Sequence, residues 1–462
     1  MNTLARLLAP KSIAVLGGGW AANVVEQLTK SGYRGDIWPV NPRRTEVHGV
    51  GCIPSLDALP GAPDAAFVGV NREATVGLVR QLREMGAGGA TCFASGFLES
   101  EAEATGGGDL QRQLVEAAGA MPVLGPNCYG FLNYLDNIAL WPDQHGGNRV
   151  ERGVAIVTQS SNIAINMTMQ RRGLPLAFMA TAGNQAQTSQ SAIALHLLGD
   201  PRITAIGLHM EGVGDVRELE TLAAAAHAAG KPVLAIKVGR SAQARVQTVS
   251  HTASLAGSHA GASALFARLG IPLVETIPVF LETLKLLHVH GPLPGNRLAS
   301  ISCSGGEAGL MADLALGRKV SFPQLTSRQS RGLREALGPM VALANPLDYH
   351  TYVWGNLAGM TAAFTAMLDS DLDLAMLVLD WPRPDRCGAP GWDLAVEAFE
   401  EATRTTGTRS AIVASMPENL PEAMAAELVA AGIAPLCGMA EALDAAAAAA
   451  RAGMAADTTP LV

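Results

Sequence analysis

The stretch SIAVLGGGWAANVVEQLTKSGYRGDIWPVNPRR, residues 12–44, decides the fold. Ile13 to Leu16 form a short apolar run that stops at Gly17, Gly18 and Gly19. Such a run, bounded by turn residues, suits a strand buried on both faces. Asn23 to Ser31 reads as a helix, and DIWPVNP (36–42) as the next strand. Strand, glycine loop, helix and strand make the βαβ unit of a parallel sheet. Gly17-x-Gly19-x-x-Ala22 also fits a pattern whose glycines let a pyrophosphate approach the backbone and a helix N-terminus. The second strand ends Val40-Asn41-Pro42-Arg43-Arg44, with no acidic residue where an NAD ribose would want one. Two arginines suit an extra phosphate, as in NADP or the 3′-phosphate of coenzyme A. The alternative is a tight turn with two solvated arginines.

Working outward, the same alternation continues. AAFVGV (65–70), a helix from about 73 to 86, GATCFASGF (89–97) and MPVLGPNCYG (121–130) complete a first unit. A second begins near Gly153, with GVAIVTQSSN, AFMATAGNQ, ITAIGLHMEG and KPVLAIKVGR as strands running into polar or glycine-bearing loops. A third follows the linker GPLPGN (291–296), with RLASISCSGG, DLAMLVLDWP and RSAIVASMP. Residues 444–456 predict a terminal helix. The expected fold is α/β, three successive doubly wound parallel-sheet domains at 1–146, 147–291 and 292–462.

Composition agrees and excludes other classes. Of 462 residues, 48% are hydrophobic and 16% charged, so large cores are available and long disorder is not expected. The formal charge of −8 argues against a nucleic-acid binder. Six cysteines are scattered singly with no CxxC pair, so neither a zinc site nor a disulfide framework is signalled, which fits a reducing cytoplasm. No apolar stretch reaches about 18 residues, and no A-x-A-like cleavage site precedes the first strand, so neither a membrane span nor a signal peptide is expected.

Ligands of parallel α/β sheets gather at strand carboxyl ends, and the unusual polar clusters lie there. Ser95-Gly96 and Gly125-Pro126-Asn127-Cys128 could line the first crevice, or be ordinary turn chemistry. Cys128 reads as a buried small residue, with no basic partner to make it a nucleophile. Ser160, Ser161 and Asn162 start a helix and could cap it, hold an anion, or both. Lys237 to Gly257 is a long small-polar stretch carrying His251, and such loops are usually functional. Glu211 ends a strand at the same expected edge, where a carboxylate could orient an imidazole. His288 and His290, two apart on a helix, share no face and read as structural.

These residues carry a resemblance. PKSIAVLGGG, WPVNP, ASGFLE, GPNCYG, GDPRITAIGLHMEG, KPVLAIKVGRS and SHTASLAGS look, in order, like blocks of the ADP-forming acyl-CoA synthetases, relatives of succinyl-CoA synthetase. CSGGEAG followed by LANPLDY looks like that family's third domain. The resemblance implies a Rossmann-like CoA-binding domain followed by two flavodoxin-like ligase domains. It implies the conversion of a carboxylic acid, CoA and ATP to acyl-CoA, ADP and phosphate through an acyl phosphate and a phosphohistidine. By motif match His251 is the phosphohistidine and Glu211 the carboxylate that orients it. Ser160, Ser161 and Asn162 would hold phosphate, with Ser304, Gly305 and Gly306 as a second phosphate-binding start. Gly17, Gly18, Gly19, Val40, Asn41, Pro42, Arg43, Arg44, Ser95, Gly96 and Asn127 would form the CoA site. The cofactors implied are coenzyme A, with ATP/ADP and Mg on a separate ATP-grasp, β-type subunit, because this chain has no G-x-x-x-x-G-K-[ST] loop. A hetero-oligomer or dimer is expected. Three departures concern the loops: GGGW where many relatives have Gly-Ala-Ser, QSSN where Gln-Ser-Gly is common, and GNQAQTSQ without an aspartate three residues beyond its asparagine. Two other readings remain open at this level, a CoA-sensing module without turnover and an NAD(P)-dependent oxidoreductase.

Overall fold

Ile13, Ala14, Val15 and Leu16 are buried in the strand Ser12–Gly17, because both faces of its sheet are covered. A computed structural model describes residues 4–101, 106–244 and 259–453. In the first sheet the strands lie in the order Asp36–Val40, Ser12–Gly17, Ala65–Gly69, Ala90–Cys92, Val123–Leu124, all parallel. The chain reverses its winding between the first strand and Ala65–Gly69, and this switch point is where open α/β sheets hold ligands. Gly17 and Gly69 face each other there. Gly17 has φ +127°, and a Cβ on it would lie 2.3 Å from the Gly69 carbonyl oxygen, so no larger residue fits.

The second sheet has seven strands, in the order Leu273–Val274, Val233–Lys237, Ile203–Met210, Gly153–Thr158, Leu176–Thr181, Phe131–Asn133, Ile138–Leu140. Counted from Gly153, its parallel strands repeat the order of the first sheet. The hairpin formed by Phe131–Asn133 and Ile138–Leu140 comes from residues before 146 and pairs antiparallel with Leu176–Thr181. Phe131 stacks on Phe178 with ring centroids 5.5 Å apart, both buried in a core that also takes in Val15, Phe67 and Leu208. Truncating such a ring costs roughly 3–5 kcal/mol.

The third sheet, Leu347–Asp348, Leu298–Ser302, Leu374–Val378, Ser410–Ala414, Ala434–Cys437, repeats the order once more. The described residues form two compact units, one holding those up to Gln170 with Pro175–Leu273, the other Arg171–Leu174 with the described residues from Val274 on. The first contains the first sheet and the second sheet up to its edge strand at Leu273.

Helix starts follow side-chain chemistry. Asn71, Ser160, Ser189 and Asp215 each accept a first-turn N–H, and Thr326 forms a capping box with Gln329. The terminal helix spans Met439–Ala452, beginning before the expected residue 444. No helix of the described residues is long and apolar enough to cross a membrane.

Candidate functional site

Asn41 shapes the first crevice. Its side-chain amide donates to the Gly17 carbonyl at 3.2 Å, and its Oδ1 accepts the backbone N–H of Arg43 at 2.9 Å and of Arg44 at 3.2 Å. One residue thus ties the end of the second strand to the glycine loop and turns two exposed arginines beside it. Val40 ends that strand and Pro42 sits in the turn. Cβ atoms added at Gly18 or Gly19 would meet nothing within 4 Å, so the loop is open ahead of the helix Trp20–Ser31. A glycine cradle before a helix start, with two guanidinium groups alongside, fits a phosphorylated nucleotide with an extra phosphate.

Ser95 is exposed at the same sheet edge, and Gly96 (φ +91°) is held from both sides. Its carbonyl accepts Arg72 Nη1 at 2.6 Å, and its N–H donates to Glu99 Oε1 at 2.6 Å. The other Glu99 oxygen accepts Asn184 Nδ2 from the second sheet's loop. Asn127 (φ +56°) donates its N–H to Ala94, while Asn184 N donates to Pro126 O at 3.0 Å. The loops of the first two sheets are therefore fastened to each other. Cys128 is buried against Thr181, with Sγ 3.0 Å from its carbonyl oxygen, and burial pushes its thiol up to about 11. Both features fit the buried structural residue that the sequence indicated.

The second crevice lies at the next switch point, where Gly153–Thr158 and Ile203–Met210 run side by side. Gln159 Oε1 accepts the N–H of Glu211 at 2.6 Å and of Gly212 at 3.0 Å. Ser160 caps the helix Ser161–Thr168 through Ile163 N at 3.3 Å. Ser160, Ser161 and Asn162 at that helix start, and Glu211 on the neighbouring strand end, are thus brought together, with Gln159 buried between them. Behind them Thr158 Oγ1 lies 3.0 Å from His209 Nδ1, and burial lowers His209 to about 4, so its imidazole is neutral. Gln190 Nε2 donates to the carbonyls of Val157 (2.5 Å) and His209 (2.9 Å), bracing both strands. His251 lies outside the described residues.

Gln159, Gln190 and His209 were not singled out by the sequence. Gln159 stands inside TQSSN, where the hydroxyls drew the reading, and a buried role for its amide has no periodic signature. Gln190 opens a helix at the end of the polar stretch from Gln185 to Ser189, so its burial has no sequence signal.

Ser304, Gly305 and Gly306 lie in the other compact unit, at the start of the helix Gly305–Ala315. Carboxylates converge there. A Cβ on Gly305 would sit 3.1 Å from Asp348 Oδ2, and burial together with Asp380 and Asp348 pushes Glu307 up to about 7. Asp348, Asp380 and Glu307 therefore make this helix start more acidic in its surroundings than the one at Ser160–Asn162. His290 bonds the Ser410 carbonyl at 2.7 Å from the last turn of Ile277–His290, a packing role.

Three mainly parallel sheets whose parallel strands share one order, with an open glycine loop on the first and a helix start beside a carboxylate on the second, define a doubly wound α/β protein. Comparison with known proteins narrows this. A CoA binding domain family matches residues 11–134, and a succinyl-CoA ligase like flavodoxin domain matches residues 151–287. The α subunit of ADP-forming acetate–CoA ligase II from Pyrococcus furiosus is 30% identical over 353 residues, covering 73% of this chain and 74% of that one. A trans-feruloyl-CoA synthase from an unknown prokaryotic organism is 29% identical over 377 residues, 79% of this chain and 53% of its own length. The acetyl-coenzyme A synthetase 1 of Ca. Korarchaeum cryptofilum, solved in complex with phosphate and ADP, superposes with a TM-score of 0.81 at 22% identity, over 98% of this chain and 97% of that one, a likeness of fold. The chain belongs to the ADP-forming acyl-CoA synthetase family. It spans about half the length of several curated relatives, including the feruloyl-CoA synthase and an Archaeoglobus fulgidus acetate–CoA ligase at 50%, and about three quarters of the Pyrococcus α subunit.

Proposed function

We propose that this chain is the CoA-binding, phosphohistidine-carrying part of an ADP-forming acid–thiol ligase acting in the cytoplasm. In the synthetic direction an acyl phosphate would be attacked by the CoA thiol, giving acyl-CoA and phosphate. In the reverse direction phosphate oxygen attacks the thioester carbonyl and the thiolate leaves. The imidazole of His251 then attacks phosphorus, the carboxylic acid departs as carboxylate, and the phosphoryl group passes from His251 to ADP. The ADP site would be supplied by an ATP-grasp, β-type part, consistent with the relatives that carry α-subunit names.

The observation that carries this reading is the juxtaposition at the second switch point. Glu211 would accept one imidazole N–H and leave the other nitrogen as nucleophile, then stabilise the charged phosphohistidine. The helix start at Ser160–Asn162 would hold the phosphate by backbone N–H groups and the positive end of the helix. In the first crevice Gly17–Gly19, the Val40–Asn41–Pro42 turn, Ser95–Gly96 and Asn127 would receive CoA, with Arg43 and Arg44 on its 3′-phosphate. The modules would then be 1–146 for CoA, 147–291 for phosphoryl transfer and 292–462 as the second ligase domain.

Incubating the purified chain with an acyl-CoA and labelled phosphate should give an acid-labile, base-stable label that His251→Ala abolishes. A label that survives in His251→Ala overturns the assignment. The absence of an acidic residue after the second strand weighs against an oxidoreductase, and tighter binding of NADPH than of CoA would restore that alternative.

A further inference from the structure

In a chain only 5% aromatic, five rings run together at one edge of the first sheet. Trp20 lies 6.0 Å from Phe93 and 6.4 Å from Tyr129, centroid to centroid. Phe93 and Tyr129 are 5.5 Å apart, Tyr129 meets Trp141 edge-on at 5.3 Å, and Phe67 backs Phe93 at 5.8 Å. These spacings are those of favourable tilted and edge-to-face pairs. The ledge is anchored in the core by Phe67 and Trp141, both fully buried, and ends in the open at Trp20, which is 48% exposed. Trp20 is the first residue of the helix behind the glycine loop, adjacent to the open positions Gly18 and Gly19.

The position of the ledge in the sheet tells which end of a bound CoA it meets. Asn41, Arg43 and Arg44 follow the strand Asp36–Val40, on one side of Ser12–Gly17. Phe93 and Tyr129 follow the strands Ala90–Cys92 and Val123–Leu124, on the other side of the switch point. A ligand with its extra phosphate on the arginines and its pyrophosphate on the glycine loop would have its other end on the Ala65–Gly69 side of the switch point, toward these rings. Tyr129 neighbours Cys128, which bonds Thr181, so the ledge also borders the second sheet's loops. An exposed tryptophan face beside a thioester offers flat apolar area at little entropic cost, which suits a ring or conjugated chain better than a methyl group.

We propose that Trp20, Phe93 and Tyr129 form the wall that receives the acyl group, and that the enzyme's acid is an aryl-substituted or similarly flat, apolar carboxylic acid rather than acetate. This rests on the first crevice being the CoA site. The test titrates the full chain calorimetrically with free CoA, acetyl-CoA and 3-phenylpropanoyl-CoA. The phenylpropanoyl thioester should bind about tenfold tighter than the acetyl one, the scale on which ring burial alters affinity. Trp20→Ser and, separately, Phe93→Leu should each shrink that ratio several-fold. Failure of free CoA to bind overturns the CoA reading and the ledge with it. Binding of CoA with equal affinity for the two thioesters overturns the ledge alone. A drop in free-CoA affinity in both variants with an unchanged ratio also overturns it, since the rings would then be stacking on adenine.

Discussion

The side-chain carbonyl of Gln159 accepts the backbone N–H of Glu211 at 2.6 Å, so a residue of one strand end fixes the carboxylate-bearing turn of its neighbour. A second bond from Gly212 at 3.0 Å makes the clamp bidentate. Replacing Gln159 by Leu removes the acceptor of one buried and one part-buried N–H, a cost of roughly 1–3 kcal/mol for the buried one and less for the other. We expect the rate of phosphoryl labelling to fall at least tenfold, with CoA affinity, measured by calorimetry, changed less than twofold. Gln159→Glu should recover part of the rate, because it keeps the acceptor. A Gln159→Leu enzyme labelled at the normal rate would show that the clamp does not position Glu211.

Asn41 holds the arginine turn through three bonds, so its effect should be specific to the extra phosphate. CoA should bind wild-type chain about tenfold tighter than 3′-dephospho-CoA, within the range of a charge-assisted contact. In Asn41→Ala, and in the double variant Arg43→Ala with Arg44→Ala, the two ligands should converge. Equal affinities in the wild type would remove the arginines from the site.

Neighbouring glycines should respond oppositely to alanine. At Gly17 the added methyl meets a backbone oxygen at 2.3 Å with φ +127°, so Gly17→Ala should lose several kcal/mol of stability or fail to accumulate as folded protein. At Gly18 the methyl meets no protein atom within 4 Å. Gly18→Ala should melt within a few degrees of wild type yet bind CoA about tenfold more weakly, because it fills the phosphate cradle. Thermal melts and calorimetry on the two variants separate these outcomes.

Acid should destabilise the first unit through His209. Its ordinary value of 6.5 is lowered to about 4 by burial. Between those values the unfolded chain binds a proton that the folded chain refuses, so stability is lost as pH falls from 6.5 toward 4. The full effect is on the order of 3 kcal/mol. His209→Asn keeps a group able to bond Thr158 and removes the titration, so its melting temperature should fall less than that of wild type between pH 7 and pH 5.

Glu307 should act with the opposite sign. Burial and the carboxylates of Asp380 and Asp348 push it from 4.5 up to about 7, so its folded form holds a proton that the unfolded chain releases above 4.5. Its contribution is therefore greatest at low pH and is lost as pH rises through 7. Glu307→Gln should raise the melting temperature at pH 8 relative to wild type, and change it little at pH 4.

The sequence by itself determined the layered architecture. Apolar runs such as Ile13–Leu16 and Val154–Val157 can be satisfied only between two covering layers, and glycine or cap residues mark where each strand gives way to a helix. It also put the candidate chemistry at strand ends, because small polar residues there interrupt an otherwise apolar pattern. Strands of two residues, Leu347–Asp348 and Leu273–Val274, and the hairpin from Phe131 to Leu140 that joins the second sheet, carry no period long enough to read. Tertiary structure alone decided which ends meet. The clamp from Gln159 to Glu211 spans 52 residues, and the ring contact from Trp20 to Tyr129 depends on the order of strands in the sheet. It also decided the charge around Ser304–Gly306, where Asp348 and Asp380 arrive from distant strands. Periodicity records whether a side chain faces a core. Register and strand order, set by packing across the whole sheet, record which other side chain it faces.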